Sequence, residues 1–171
     1  TDIRFTGRTA FTQKRLRKAM KTKAKGFFGG GELKDETFAE DREKLEAWYH
    51  DHGYRDARVT GFEVKPGEKP RELTLVVGLD EGRSYRMGNV SWIGNMVVDS
   101  TTLDRLWKVK PLARYEKSRI EKTQGLAYAE YAEHGYLYVG IEAREVVRED
   151  SLVDVVYSVA EGAPSSVRLI S

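Results

Sequence analysis

The residues best suited to chemistry are the three histidines, His50, His52 and His134. His50 and His52 stand two apart near the end of a helical stretch. They do not share a face, since helix neighbours lie three or four positions apart. Zinc asks for further ligands at suitable spacing, and the chain has no cysteine to supply them. His52 and His134 both precede Gly-Tyr, which marks a shared structural slot rather than a ligand pair. No Ser, His and Asp come together by spacing, so nothing supports a hydrolase. The expectation is no catalytic residue, no metal and no cofactor.

A dense basic run, Lys14, Arg15, Arg17, Lys18, Lys21, Lys23 and Lys25, has no acidic residue inside it. It suits anionic lipid headgroups or an acidic partner. The reading preferred is a solvated helix face with positive charge near the helix C-terminus, the usual outcome for charge runs. An acidic stretch follows (Glu32, Asp35, Glu36, Glu40, Asp41, Glu43, Glu46) and is expected to pair with it in part. Nucleic acid is not an expected partner, because no aromatic side chains interleave with the run to stack on bases. Gly26-Phe27-Phe28-Gly29-Gly30-Gly31 lacks the Gly-Lys-Ser/Thr ending of a phosphate loop. It reads as an inter-helix loop, with Phe27 and Phe28 packed beneath it in the preferred reading, or presented to a partner or membrane surface in the alternative. Trp48, Tyr49, Tyr128 and Tyr131 lie at helical spacing and are expected to be core.

These groups sit on a duplicated frame. His52-Gly53-Tyr54 recurs 82 positions later as His134-Gly135-Tyr136, and Glu81-Gly82 recurs as Glu161-Gly162. Ile3-Arg4-Phe5-Thr6-Gly7 recurs as Val90-Ser91-Trp92-Ile93-Gly94. The period is longer than the roughly 20–50 residues of a solenoid repeat, so each copy is a small domain. The expected division is residues 1–83 and 84–164, with 165–171 starting something further. Charged residues are 33% and the net charge is +2, which indicates a well-solvated surface and gives no strong steering toward polyanions. Val167-Arg168-Leu169-Ile170 looks like the beginning of another strand, so the chain reads as a piece of something longer.

Within each copy, Ile3 and Phe5, or Val90 and Trp92, alternate as a half-buried strand. Thr12 and Asp99 are placed to cap a first helix whose inner faces are Leu16, Ala19 and Met20, and Leu103, Leu106 and Trp107. A second helix carries Phe38, Asp41, Leu45, Trp48 and Tyr49 in one copy, and Ile120, Ala127, Tyr128 and Tyr131 in the other. Gly125 interrupts the latter at about 1 kcal/mol relative to Ala. Gly53 and Gly135 end these helices in the left-handed conformation. A hairpin closes each copy. Ala57, Val59 and Gly61 point inward, followed by a turn over Lys65–Pro70 and then Leu73, Leu75, Val77 and Leu79. The second hairpin runs Val139, Ile141, Ala143, a turn over Arg148–Ser151, and Val153, Val155, Tyr157, Val159. The fold class is therefore α+β: two tandem β-α-α-β-β domains, each a three-stranded mixed sheet with two helices on one face.

Trp92-Ile93-Gly94-Asn95, Tyr128…Tyr131…Gly135-Tyr136 and Glu161-Gly162 resemble the polypeptide-transport-associated (POTRA) domain. Trp48-Tyr49…Gly53-Tyr54 and Asp80-Glu81-Gly82 repeat the resemblance in the first copy, which departs from it at Gly7-Arg8. The order of these short motifs, twice over, carries the resemblance. Arg83–Asn95 is similar to a junction between successive domains in the periplasmic arm of BamA-type outer-membrane β-barrel assembly factors.

The resemblance implies a non-enzymatic module on the periplasmic side of a bacterial outer membrane. It implies neighbouring POTRA domains and a C-terminal membrane barrel in the full-length chain. The expected partners are unfolded outer-membrane β-barrel proteins and assembly-complex lipoproteins. Cell-division proteins and two-partner secretion pores use the same domain and form the alternative. Clients would add as a strand to an exposed sheet edge. The resemblance puts the hairpin's first strand at that edge: Val139, Gly140, Ile141, Glu142, Ala143, Arg144, Glu145 and Val146, with Ala57, Arg58, Val59, Thr60, Gly61 and Phe62 as the second candidate. Against this, Glu142, Arg144 and Glu145 read equally well as charged guards that block pairing.

Overall fold

Alternating apolar residues build each sheet. In the computed structural model, which describes residues 2–23 and 35–166, Ile3 and Phe5 of β1 (Asp2–Thr6) are buried while Arg4 and Thr6 are exposed. Lys25, the Gly26–Gly31 segment with Phe27 and Phe28, Glu32 and Val167–Ile170 lie outside the described residues. The chain divides into two units, Thr1–Ser84 and Tyr85–Ser171. In the first, β1 is followed by α1 (Gln13–Ala19), α2 (Asp35–His50), β2 (Arg58–Pro66) and β3 (Leu73–Asp80). The second contains β4 (Arg86–Ile93), α3 (Ser100–Asp104), α4 (Lys117–Glu133), β5 (Gly140–Val147) and β6 (Leu152–Ala160).

The sheet orders are β1-β3-β2 and β4-β6-β5. The last strand of each unit is central, parallel to the first strand and antiparallel to the hairpin partner. This is the expected α+β class, with a mixed three-stranded sheet and helices packed on it in each unit. The central strands carry the most apolar rows: Leu75, Val77 and Leu79 in β3, and Val153, Val155, Tyr157 and Val159 in β6, all buried. Each fully buried apolar side chain of this size contributes about 1.5–3 kcal/mol.

Local signals set the helices. The Thr12 side chain accepts the Arg15 N–H, and Asp99 accepts the Thr102 N–H at 2.7 Å. Asp41, on the buried line of α2, accepts the Lys21 and Thr22 N–H groups at 2.6 and 3.2 Å and so fastens the segment after α1. Gly53 and Gly135 take φ of 95° and 84° after the second helices. Gly94, at φ 81°, meets the central strand so closely that a Cβ would lie 2.2 Å from the Val159 carbonyl oxygen.

Four details differ from the periodicity. The helix expected to carry Leu103, Leu106 and Trp107 ends at Asp104. Thr101 and Thr102 are poor helix formers. Leu106 and Trp107 follow in tight turns and still pack on the core. In β2 a bulge between Val59 and Gly61 shifts the register, so Phe62 and Val64 reach the core where continued alternation would turn them out. Pro66, expected in the turn, ends β2 instead. Tyr128 is 39% exposed rather than core, and Thr123 takes a buried place on α4.

Candidate edge-strand binding site

Among the described residues four strands lie at sheet edges: β1 and β2 in the first unit, β4 and β5 in the second. Main-chain direction alternates along each, so every second residue turns its N–H and C=O away from the sheet. Just after β5 the Arg148 N–H donates to Leu152 C=O at 2.8 Å, and the register fixes the rest. Gly140, Glu142, Arg144 and Val146 face β6. Ile141, Ala143, Glu145 and Val147 turn outward. Just after β2 the Gly67 N–H donates to Glu72 C=O at 2.7 Å, which leaves Phe62, Val64 and Pro66 outward beyond the bulge and Val59 outward before it. Pro66 has no N–H to offer. By the same reasoning Ile3 and Phe5 turn outward on β1, and Val90 and Trp92 on β4.

Several of these outward groups are already engaged. The Gln13 side chain accepts the Phe5 N–H at 2.9 Å and donates to the Phe5 carbonyl at 3.3 Å. Arg17 Nε donates to the Ile3 carbonyl at 2.8 Å, and Asp2 accepts the Ile3 N–H at 2.9 Å. On β2 the Val59 N–H donates to Glu46 at 2.9 Å, and Arg42 donates to the Val59 carbonyl at 2.9 Å. On β5 the Ile141 N–H donates to the Tyr128 hydroxyl at 3.0 Å, while Gln124 and the same hydroxyl donate to the Ile141 carbonyl. Met87, near the start of β4, donates its N–H to the Ala113 carbonyl at 2.7 Å.

The sequence-predicted residues distribute as follows. Gly140 to Val146 lie in β5, and Val139 is buried just before it. Arg58 to Phe62 lie in β2, and Ala57 is buried just before it. Glu142 and Arg144 are exposed. Glu145 is drawn inward, its carboxylate accepting the Tyr115 hydroxyl at 2.6 Å and Lys117 at 2.8 Å. Its charge is held against Tyr115 and Lys117 rather than turned to solvent. Val146 and Val147 are 37% and 42% exposed. The outer edges of β1 and β4 were missed by sequence reasoning. Gln13 and Arg17, four apart on one helix face beside a strand, were the available signal.

The basic run is partly committed to structure. Arg17 pairs with Asp2 at 2.7 Å and Lys21 with Glu40 at 2.6 Å. Arg15 lies over the Phe11 and Trp48 rings, at 5.1 and 5.5 Å from their centroids. His52 and His134 occupy equivalent slots, each with Nδ1 at the carbonyl four residues back, Trp48 at 2.6 Å and Glu130 at 2.9 Å. Among the described residues no group of three or more His, Cys, Asp or Glu could hold a metal ion. No helix among them is long and apolar enough to cross a membrane.

Comparison with known proteins agrees with this frame. The family model POTRA, described as a surface antigen variable number repeat, matches residues 1–82 and again 85–162. The outer membrane protein assembly factor BamA of Neisseria meningitidis serogroup B is 26% identical over 168 residues, which is 95% of this chain and 21% of that protein. The protein of the same name from Nitratidesulfovibrio vulgaris is 30% identical over 139 residues, covering 77% of this chain and 17% of its own length. The chain thus spans about a fifth of these relatives. The crystal structure of Haemophilus influenzae BamA POTRA3-5 matches with a TM-score of 0.78 at 19% identity, over 98% of this chain and 67% of that one.

Proposed function

The chain belongs to the POTRA family, twice over, and from that we propose that it is a non-catalytic periplasmic module of an outer-membrane protein assembly factor. It holds unfolded β-barrel proteins by adding a client strand to its sheet edges. The names of its relatives support the setting, and β5 supports the mode. The observation that carries the reading is the direction of the β5 main chain: Ala143 and Val147 turn their N–H and C=O groups away from β6.

Strand addition draws affinity from main-chain hydrogen bonds, so it is tolerant of client sequence. Each bond contributes about 0.5–1.5 kcal/mol net, and a short added strand is held weakly and released easily. Such a grip suits a module that must pass many different chains onward. The β5 edge is favoured over β2 on geometry. Its register on β6 is unbroken, whereas β2 is interrupted by the bulge after Val59 and ends on Pro66. Assembly-complex lipoproteins are the second class of partner, and further POTRA domains with a C-terminal membrane barrel complete the full-length protein.

The test is an NMR titration of the tandem chain with a peptide from an unfolded outer-membrane barrel strand. The expected result is a shift of the Ala143 and Val147 amides ahead of the rest of the unit. Shifts confined to helix surfaces would sink edge addition.

A further inference from the structure

Two helix side chains close the beginning of each hairpin edge strand, and they do so with different chemistry. Arg42 and Glu46 lie four apart on α2, as Gln124 and Tyr128 do on α4. The positions correspond across the 82-residue repeat: 42 with 124, 46 with 128, and Val59 with Ile141. In the first unit a charged pair takes both outward main-chain groups of Val59. In the second an amide and a phenol take both outward groups of Ile141. The residues have changed between the copies while the contacted atoms have not. The same two helix positions, filled by different side chains, close the same N–H and C=O in both units.

We propose that these pairs are register stops, which fix where an added strand must begin. The proposal rests on the edge-addition reading and specifies the site within it. An outward N–H and C=O already bonded within the fold cannot be offered to a visitor without first being released. On β5 the first outward residue beyond the stop is Ala143, so a client strand pairs from Ala143 toward Val147 and not from Ile141. With side-chain direction alternating along a strand, a fixed starting residue also fixes which client side chains face the helix side. The stop thereby gives a sequence-tolerant edge a defined register.

The stop can be tested apart from the edge. Tyr128→Phe removes the group that, among the described residues, accepts the Ile141 N–H, and Q124A/Y128F removes the two that donate to its carbonyl. Tyr128 is 39% exposed, and the unchanged amide spectrum of β6 serves as the check that the unit stays folded. In the free tandem chain, Ile141 amide hydrogen exchange is expected to be about tenfold faster in the Y128F variant. A synthetic peptide of about ten residues with alternating apolar and polar side chains, the pattern of a membrane-barrel strand, is then titrated into the parent and the double variant. The expected footprint starts at Ala143 in the parent and reaches Ile141 in the double variant, with binding several-fold tighter. A footprint that already includes Ile141 in the parent, or that stays the same in the variant, overturns the stop while leaving edge addition standing. A peptide that shifts no outward β5 amide in either protein overturns edge addition, and the stop with it.

Discussion

The Tyr49 hydroxyl donates to the Glu81 carboxylate at 2.8 Å, and Tyr131 donates to Glu161 in the same way at 2.7 Å. Each pair joins the second helix of its unit to the residue just after the central strand. The carboxylate does more than receive the phenol. Glu81 also accepts the Thr9 N–H at 2.7 Å, the Thr9 hydroxyl at 2.8 Å and the Ala10 N–H at 3.2 Å. Glu161 accepts the Val97 N–H at 2.7 Å. The repeated Glu-Gly is thus a fastener that holds the loop after the first strand to the second helix.

Replacing that carboxylate tests the fastener. Glu81→Gln keeps the shape but removes charge from an acceptor of several hydrogen bonds at a buried site, and should lower stability by about 1–3 kcal/mol. Glu161, accepting fewer such bonds and less buried, should lose less on the same change. Urea unfolding of both variants beside the parent measures the difference. Equal losses would show that the extra bonds from Thr9 and Ala10 contribute nothing.

The same site gives acid sensitivity a sign. Burial acts to raise the Glu81 pKa, but hydrogen bonds from Thr9, Tyr49 and the Thr9 and Ala10 amides outweigh it and hold it below the ordinary value of 4.5. A carboxyl depressed in the folded state contributes stability that is complete above its unfolded value and lost as pH falls through the folded one. Stability should therefore fall below about pH 4.5, and the fall should be shallower in Glu81→Gln. Tyr49 has the opposite sign: burial, then the bond to Glu81, pushes its phenol far above 10. Its contribution is complete below about pH 10 and declines above it, a decline that Tyr49→Phe should remove. Unfolding midpoints across pH decide both.

The tandem architecture was legible because local signals and burial agreed. Thr12 and Asp99 cap helices, Gly53 and Gly135 end them, and the rows from Leu75 and Val153 form the central strands. What escaped depended on contacts distant in sequence. Periodicity alone could not reveal the bulge after Val59, nor that Glu145 bends inward to Tyr115 and Lys117. The sequence marks the candidate edge only as a continuous segment, Val139 to Val146. Which of its amides turn outward followed only from the register on β6.

Two glycines should respond oppositely to alanine. Gly125 lies inside α4 with nothing within 4 Å of an added Cβ, so Gly125→Ala should stabilise the second unit by about 1 kcal/mol. Gly94 combines φ 81° with a Cβ position 2.2 Å from a main-chain oxygen, and Gly94→Ala should destabilise by about 2 kcal/mol or more. Thermal unfolding resolves both shifts. A neutral Gly94→Ala would mean that the loop after β4 can move away from Val159.

The first strands should differ in how firmly their outer edges are held. Gln13 engages both outward groups of Phe5, and Arg17 engages the carbonyl of Ile3. The position equivalent to Gln13, by the spacing of Thr12 and Asp99, is Ser100, whose hydroxyl accepts from Asn95 instead. The Phe5 amide should accordingly exchange with solvent hydrogen more slowly than the Trp92 amide. Gln13→Ala should bring Phe5 toward the Trp92 rate, at a stability loss of about 1 kcal/mol. Because an unsealed edge also invites pairing between copies, Q13A/R17A should increase self-association of the chain in sedimentation. Faster exchange at Phe5 without added association would mean that Arg4 and Thr6, exposed on the same strand, keep other copies away on their own.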